Sequence, residues 1–385
     1  MRALVYVQHL LGTGHVVRAS AIARALLAQG VDVILLLGNT PPPTLDLAGL
    51  AIETLPPVRA ADASFSRLVT PEGQPIDDDI RHARAERLLT LVETIRPDIL
   101  LTETFPFGRR AFAQELLPAL NAARARARPA LVAASVRDIL VKKSDPAKTR
   151  WMAEVARTHY DCVLVHADPA LVRFDASFPH AAEIADLIRY TGFVYAPSSP
   201  QPPGDDGRGE VIVSCGGGPV GARLLQAAVT ARPHAHRATG TWRVLASASH
   251  GDDRLAALAA AATPGTIVEP ARPDFSGLIK RAAVSVSQAG YNTVLDVLSA
   301  GCPAVLVPFA EGDETEQTQR AEILAARGMA IQLSEGHVTP ERLAGAADQA
   351  CVADRPTLAI DLAGAEKSAR LLIAEAKKRD REERT

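Results

Sequence analysis

The sequence predicts an α/β protein made of two doubly wound units, each built on a parallel sheet. Apolar, β-rich runs alternate with helical patterns along most of the 385 residues, and such alternation places parallel strands between helices that cover both faces. Each half also begins with a strand that runs into a glycine-rich turn, at residues 2–14 and 211–221. The length exceeds one ordinary domain and fits two.

The individual elements follow from these runs. The first half supplies candidate strands at residues 2–8, 32–38, 52–56, 98–103, 130–135 and 162–167. The second half supplies candidate strands at residues 211–218, 242–247, 265–270, 283–288, 303–308 and 330–333. Helical patterns such as those at 15–30 and 79–97 separate the strands. Acidic residues 77–79 open the second of these helices, where they complement its dipole; we interpret them as capping residues rather than metal ligands.

A segment rich in Pro, Ser, Gly and Asp marks the domain boundary. Residues 196–209 have no apolar periodicity, which is typical of an interdomain linker. They separate a first domain, residues 1–195, from a second domain, residues 210–365. Residues 366–385 form a predicted helix with a charged tail, which we expect to pack back on the first domain.

Composition narrows the class of protein. A net charge of −2 gives no basic field, which argues against a nucleic-acid partner. The four cysteines are widely spaced without a CxxC or metal-ligand pattern, as expected for buried thiols in a reducing compartment. The apolar run at the N-terminus breaks at Gly12, too early for a signal segment or a membrane span. These features predict a cytoplasmic protein, and peripheral membrane contact is compatible with them.

The glycine-rich turn of the second half indicates phosphate binding. Gly216, Gly217 and Gly218 lie between a strand and a helix, and the helix start offers free N–H groups and a positive dipole end. Pro219 suits the first turn of that helix. A diphosphate is the expected ligand; the alternative is a plain tight turn. No GK dipeptide follows, so the turn is not a Walker A loop.

The glycine-rich turn of the first half does not match a dinucleotide site. Gly12, Thr13 and Gly14 lack the third glycine of GxGxxG, and the second strand ends without an acidic residue. A dehydrogenase is therefore disfavoured. The turn is instead interpreted as a loop that carries His15.

A polar set follows the strand at 283–288. It gathers near the carboxyl ends of strands, where open α/β sheets bind ligands. Its members are Gln288, Gly290, Asn292, Thr293, Asp296, Gln317 and Arg320. Helix capping is the alternative for Thr293 and Asp296, and a solvated helix face is the alternative for Gln317 and Arg320.

Together these motifs resemble glycosyltransferase family 28, which includes the N-acetylglucosaminyltransferase of lipid II synthesis. The family pattern S-x-x-G-x-x-T-V-x-E-x-x-x-x-G-x-P-x-x-x-x-P, then Q-x-x-N-A, is matched by Ser287, Gly290, Thr293, Val294, Asp296, Gly301, Pro303, Pro308, Gln317, Arg320 and Ala321. "CGGGPVGARLL" resembles the family's GGSxGAxxLN loop, and "LLGTGHVVRASAIARAL" resembles its N-terminal GGTGGHxxPxxALAxxL. Residues 50–200 match the family poorly.

The resemblance implies the GT-B fold: two Rossmann-like domains that face a central cleft and bind a nucleoside diphosphate sugar, usually UDP-linked. Asp296 replaces the family's Glu on the ribose hydroxyls, and Gln317 matches its sugar-contacting Gln. Arg320 replaces the usual Asn, which leaves the sugar open. The family works without metal, and no DxD motif follows a strand here, so we expect neither a metal nor any other cofactor.

Sugar transfer needs a base for the acceptor hydroxyl. His15 is the first candidate, because an ordinary imidazole pKa of ~6.5 suits proton transfer; a histidine that shapes the turn is the alternative. Glu103 and Asp138, each at a strand end, are the other candidates. For Glu103, an N-cap or a salt bridge with Arg109 competes. Arg18 and Arg137 are candidates for contact with phosphate or acceptor, and a surface position is the alternative for Arg18.

The sequence thus predicts a metal-independent, inverting glycosyltransferase. A UDP-sugar hydrolase or 2-epimerase is the alternative on the same fold, and a non-catalytic nucleotide-sugar-binding protein is the alternative of another class. The acceptor stays open among lipid-linked, glycan and small molecules.

Overall fold

The chain divides into two compact units. We analysed a computed structural model, which describes residues 1–10, 14–41, 45–61, 67–143, 145–196, 204–216, 220–247, 251–310, 315–354 and 360–382. Met1–Ala196 and Asp361–Thr385 form the first unit, and Pro197–Ile360 forms the second. The chain therefore returns to the first unit at Asp361, slightly before the predicted boundary at 365.

The first unit is built on seven parallel strands. Its elements up to residue 196 are β1 (Arg2–Val7), α1 (Gly14–Ala28), β2 (Asp32–Leu37), β3 (Ala51–Thr54), β4 (Arg59–Ala60), β5 (Leu68–Val69), α2 (Asp78–Ile95), β6 (Ile99–Glu103), α3 (Ala113–Arg124), β7 (Leu131–Arg137), α4 (Pro146–His159), β8 (Cys162–His166) and β9 (Ile188–Tyr190). The sheet order is β3-β2-β1-β6-β7-β8-β9, and β4 pairs with β5 as a separate antiparallel ribbon. The short β4, β5 and β9 have no counterpart among the predicted strands.

The second unit repeats this plan on six parallel strands. Its elements are β10 (Val211–Ser214), α5 (Ala222–Ala231), β11 (Trp242–Ala246), α6 (Asp252–Ala261), β12 (Thr266–Pro270), α7 (Phe275–Arg281), β13 (Val284–Ser287), α8 (Tyr291–Ala300), β14 (Ala304–Leu306), α9 (Glu316–Ala326), β15 (Ile331–Gln332) and α10 (Pro340–Cys351). The sheet order is β12-β11-β10-β13-β14-β15. The central strands β10 and β13 are buried along their whole length, as expected for strands covered on both faces.

The last helix, α11 (Gly364–Glu382), completes the core of the first unit. Its buried face packs with α1 in one aliphatic cluster over the sheet. That face consists of Ala365, Ala369, Leu372 and Ala376. The helix predicted at the end of the chain therefore lies with the first unit.

The order in which strands are added reverses at one point in each sheet, and this switch point positions the candidate sites. The first strand of each unit lies inside its sheet, so consecutive strands are added on one side and later strands on the other. The reversal falls between β1 and β6 in the first unit and between β10 and β13 in the second. Ligands bind outside the carboxyl ends of the strands at such switch points.

Candidate active site

A buried ion pair lies at the switch point of the first unit. Glu103 ends β6, and His15 and Arg18 lie one turn apart on α1, which follows β1. His15 Nδ1 is 3.0 Å from Glu103 Oε1, and Arg18 Nη2 pairs with the same oxygen. Glu103 is 1% exposed and Arg18 is 3% exposed. The structure thus joins two of the three candidate bases in one cluster and makes Arg18 the counter-ion of Glu103, so the surface alternative for Arg18 and the pairing of Glu103 with Arg109 are wrong.

Glu103 is ionised in this cluster. Burial on its own raises the pKa of a carboxyl group, but the charge of Arg18 and the hydrogen bond with His15 outweigh it and hold the pKa of Glu103 well below its ordinary value. The hydroxyl of Thr104 lies 3.0 Å from Oε1, and the hydroxyl of Ser135 lies 2.5 Å from Oε2. Both carboxylate oxygens are therefore held by donors.

His15 is neutral. Burial and the charge of Arg109 lower the pKa of His15 to about 3, against the opposing hydrogen bond with Glu103. Because an ionised carboxylate only accepts, the Nδ1–H of His15 donates to Glu103. Arg18 Nη2 lies 3.2 Å from Nδ1 because both groups converge on the same oxygen. Nε2 then carries the lone pair, and it has no hydrogen-bond partner among the described residues.

His15 lies in a helix rather than in the predicted loop. The helix α1 begins at Gly14, so His15 is its second residue and occupies the first turn. The positive end of the helix dipole disfavours a charged imidazole at this position. A helical first turn also brings Arg18, three residues further on, to the same side as His15.

The loop after β6 brings a second cation to this edge. Arg109 Nε donates to the Gln8 carbonyl at 2.8 Å, directly after β1. Thr104 and Arg109 hold left-handed backbone conformations, with φ of 70° and 61°, which side chains adopt rarely. Arg137 ends β7 and Asp138 follows it. The charge of Arg137 adds to burial in lowering the pKa of Arg109 to about 10, so the two cations lie close together.

A second polar network, not found from the sequence, supports these loops from the other face of the sheet. Arg84 pairs with Glu115 at 2.7 Å, and Tyr6 donates to Glu115 at 2.7 Å. Arg84 also donates to the side chain of Gln8 and to the carbonyl of Gly38, which follow β1 and β2. Arg84 therefore connects the ends of two central strands. Its position inside an amphipathic helix gave no signal of this role.

At the switch point of the second unit, the two predicted motifs meet. Ser214 of β10 pairs in register with Ser287 of β13, so the loops after these strands lie side by side. A Cβ on Gly216 would come within 3.8 Å of Thr293 Oγ1, and a Cβ on Gly221 would come within 3.0 Å of Gln288 Nε2.

Two helices at this edge start without side-chain caps. Gly221 precedes α5 and Gly290 precedes α8, and as glycines these two N-cap residues supply no side-chain hydrogen bond. Their first N–H groups and dipole ends are therefore available to an anion. The helix α5 begins at Ala222, and the predicted role of Pro219 lies outside the described residues.

The remaining predicted residues of the second unit have different surroundings. Asn292, Thr293 and Asp296 are half-buried on α8. Gln317 accepts from the Phe309 N–H at 3.1 Å, next to β14. Arg320 is 4% exposed and binds Glu316 and the carbonyl of Ala289, so it holds the turn after β13 rather than lying on a solvated face.

Some predictions fall outside the described residues. These are the ones for Gly12, Thr13, Gly217, Gly218, Pro219 and residues 197–203 of the linker. Within the residues that the structure covers, no group of three His, Cys, Asp or Glu side chains could hold a metal ion. No helix in the same ranges is long and apolar enough to cross a membrane.

Solved structures identify the class of fold. The chain is similar to Acinetobacter baumannii MurG, with a TM-score of 0.58, 17% identity, and 98% of this chain and 100% of that chain covered. It is also similar to the glycosyltransferase SnogD from Streptomyces nogalater, with a TM-score of 0.60, 16% identity, and 97% and 100% covered. The predicted fold class is confirmed: this is a GT-B protein.

The sequence comparisons then extend this likeness to one family. Residues 212–370 match the model of the glycosyltransferase family 28 C-terminal domain, which confirms the resemblance that the motifs of the second half predicted. The chain is 30% identical over 196 residues to the UDP-N-acetylglucosamine--N-acetylmuramyl-(pentapeptide) pyrophosphoryl-undecaprenol N-acetylglucosamine transferase of Acidiphilium cryptum, covering 50% of this chain and 51% of that enzyme. The match thus spans about half the length of this curated relative.

Proposed function

We propose that the protein is a glycosyltransferase that moves a sugar from a nucleoside diphosphate donor, UDP-linked, to an acceptor hydroxyl. The observation that carries the proposal is the combination of a family 28 donor domain with a neutral His15 whose Nδ1 is held by ionised Glu103. A binding protein without catalysis has no need of a buried carboxylate behind a histidine. The pair therefore favours an enzyme.

The second unit binds the donor in this proposal. The helix starts at α5 and α8 stabilise the negative diphosphate through backbone N–H groups. Asp296 accepts hydrogen bonds from the ribose hydroxyls, and Gln317 offers its amide N–H groups to the sugar, since its oxygen is already used by Phe309. Backbone donors and dipoles supply the charge stabilisation, so the reaction proceeds without a metal ion.

His15 is the base in this proposal. The acceptor O–H bond breaks as its proton passes to Nε2 of His15. The acceptor oxygen bonds to the anomeric carbon, and the bond from that carbon to the diphosphate breaks, with the electron pair leaving on the nucleoside diphosphate. One displacement inverts the anomeric centre. Ionised Glu103 stabilises the imidazolium and keeps its orientation.

The charge of Arg109 explains how a weakly basic imidazole serves at neutral pH. Arg109 lowers the pKa of His15 in the free protein. A negatively charged phosphate of a bound substrate beside Arg109 offsets that charge, so the pKa of His15 rises when the substrate is in place. Base strength is then greatest in the complex that reacts.

The proposed acceptor class and cellular location are supported by the composition of the chain and by the names of its relatives. The A. cryptum relative is named for an undecaprenol-linked acceptor, and residues 137–143 of this chain combine apolar side chains with three cations. We therefore include a lipid-linked acceptor among the candidates and expect cytoplasmic enzyme in contact with the membrane surface. Cell fractionation tests this location: the protein should sediment with membranes and be released from them by high salt.

A donor panel tests the proposed function. Thermal unfolding with UDP-, GDP- and dTDP-sugars should show stabilisation by UDP-sugars, since a ligand that binds only the folded state raises its stability. Product analysis with cell-extract acceptors should then show sugar transfer that persists in EDTA. Asp296→Ala should weaken UDP binding.

Two results would contradict the proposal. Stabilisation by NAD(P)H and by no sugar nucleotide would exclude a glycosyltransferase. Donor hydrolysis at catalytic rates without an acceptor would favour the hydrolase, and a 2-epimeric product would favour the epimerase.

A further inference from the structure

A chain of buried hydrogen bonds begins on the second oxygen of Glu103. Ser135 Oγ lies 2.5 Å from Glu103 Oε2 and 2.8 Å from His166 Nε2. His166 Nδ1 lies 2.8 Å from Thr191 Oγ1. All four side chains are at most 1% exposed. Neither donor binding nor proton transfer by His15 accounts for Ser135, His166 and Thr191.

The sheet itself builds this chain. Glu103 of β6 lies opposite Ser135 of β7, and Arg137 of β7 lies opposite His166 of β8. Paired residues of parallel strands, and residues two apart along a strand, share one face of the sheet. Glu103, Ser135 and His166 therefore stand on the face that α1 covers. Strands fix their spacing more rigidly than a loop would.

The direction of each hydrogen bond follows from the ionised carboxylate. Glu103 only accepts, so the Ser135 hydroxyl donates to it. Since the single hydroxyl hydrogen is then used, the Nε2–H of His166 donates to Ser135. Burial, and then the charge of Arg18, lower the pKa of His166 to about 3, so the ring is neutral and its Nδ1 carries the lone pair. The Thr191 hydroxyl lies 2.8 Å from that nitrogen and 2.8 Å from the Gly192 carbonyl, so two acceptors share its one hydrogen. The bonds from His166 to Ser135 and from Ser135 to Glu103 point the same way, and donors aligned in this way strengthen one another.

This arrangement is costly for a role in folding alone. Buried polar groups lose their hydration, and apolar side chains of similar volume are often as stable or more stable in such places. The rest of β7 up to Ser135 is apolar, from Leu131 to Ala134. What the chain does achieve is to occupy Oε2: Arg18 Nε remains 3.4 Å from that oxygen, whereas Ser135 is at 2.5 Å. Holding Oε2 fixes the rotation of the carboxylate, which keeps Oε1 against His15 Nδ1, Arg18 and Thr104.

We propose that Ser135 and His166 are positioning residues, which fix the carboxylate of Glu103 so that Oε1 accepts from Nδ1 of His15 and the lone pair stays on Nε2. The inference rests on the proposed function for its effect on turnover, because there His15 is the base. The effect on the tautomer of His15 does not depend on any substrate.

The test compares matched variants in protein labelled with 15N-histidine. Imidazole 15N shifts report the tautomer of His15, and steady-state kinetics report kcat and KM. Ser135→Ala should convert His15 from the Nδ1–H form to a mixture of tautomers and lower kcat about tenfold, with KM within about twofold. His166→Leu should act in the same direction. His166→Gln should restore wild-type behaviour, because the amide N–H donates to Ser135 and its carbonyl accepts from Thr191.

Ser368→Ala is the matched control. It removes another fully buried hydroxyl of the same unit, one that donates to the Gly364 carbonyl within α11 and forms no hydrogen bond with the four residues, all of which are described. It should leave the 15N shifts of His15 and kcat at wild-type values. If Ser135→Ala does not fold, Ser135→Cys, a weaker donor of similar size, carries the same test with the same expected direction.

The outcomes separate the two proposals. Unchanged 15N shifts of His15 in Ser135→Ala and His166→Leu would overturn the positioning role, and so would a loss of thermal stability alone. If the tautomer changes but no form of the protein, wild type included, transfers a sugar, the positioning role stands and the proposed function fails.

Discussion

The two units share one strand order, yet their switch points carry opposite chemistry. In the first unit, the ends of β1 and β6 bring together the buried charges of Arg18 and Glu103 with the titratable His15. In the second, the ends of β10 and β13 bring together glycines, an amide and a hydroxyl, with two uncapped helix starts. The first arrangement suits the movement of a proton, whereas the second suits a fixed anion. One topology is thus adapted to two tasks by the residues at its strand ends.

The largest expected effect comes from removing His15, the proposed base. His15→Ala should lower kcat by about 10²–10⁴-fold, because no other group takes the acceptor proton, and should leave UDP affinity within about twofold. Kinetics and UDP titration measure the two effects. The exposed His82 on α2 serves as the control, and His82→Ala should retain wild-type kcat. If His15→Ala instead loses UDP binding and keeps kcat, the donor binds at the switch point of the first unit and the proposed roles of the two units are reversed.

The next effect disturbs the anion site. Gly221 has φ of 94°, and a Cβ there would meet Cys215 Sγ at 2.4 Å. Gly221→Ala should therefore shift the start of α5 and weaken UDP binding about tenfold or more, with a stability cost of about 1–3 kcal/mol. Gly345→Ala on α10, where nothing lies within 4 Å of the added Cβ, is the matched control and should keep full affinity. Equal UDP affinity in both variants would show that the start of α5 does not hold the donor.

Much of this comparison could be predicted from the sequence, because strand runs and glycine turns locate the strand ends. The cap of α2 by Asp77 also followed from residue type. The pairing of His15 with Glu103, 88 residues apart, did not follow, because sequence periodicity predicts which face of an element is buried and not which residue packs against it. Likewise a lone Ser135 in an apolar strand indicates nothing until its neighbour across the sheet is known.

A smaller effect is expected on the pKa of His15 when a neighbouring positive charge is removed. Arg109 is the main charged group that lowers the pKa of His15. Removing a nearby positive charge favours the protonated imidazole, so Arg109→Gln should raise the pKa of His15 from about 3 by about one pH unit. The acid limb of kcat/KM and the imidazole 15N titration should both move to higher pH. An unchanged titration would mean that burial alone sets the basicity of His15.

A last effect concerns the pH dependence of stability, which differs between the two units. His15 and His166 have pKa values of about 3 in the folded first unit and about 6.5 when unfolded, so the unfolded chain binds more protons below pH 6.5. Their contribution to stability is complete above pH 6.5 and is lost as the pH falls toward 3. In the second unit, Asp206, Asp274 and Asp348 have lowered pKa values, and their contribution is lost only below the ordinary value of 3.8.

Between pH 6.5 and 4.5 the first unit should therefore lose stability before the second. Hydrogen exchange read by mass spectrometry should show earlier deprotection in β6, β7 and β8 than in β10 and β13 over this range. His166→Gln removes one titrating group, so the pH dependence of unfolding of the first unit should become shallower by up to one proton. Earlier deprotection of β10 and β13 would contradict the assignment of buried neutral histidines to the first unit.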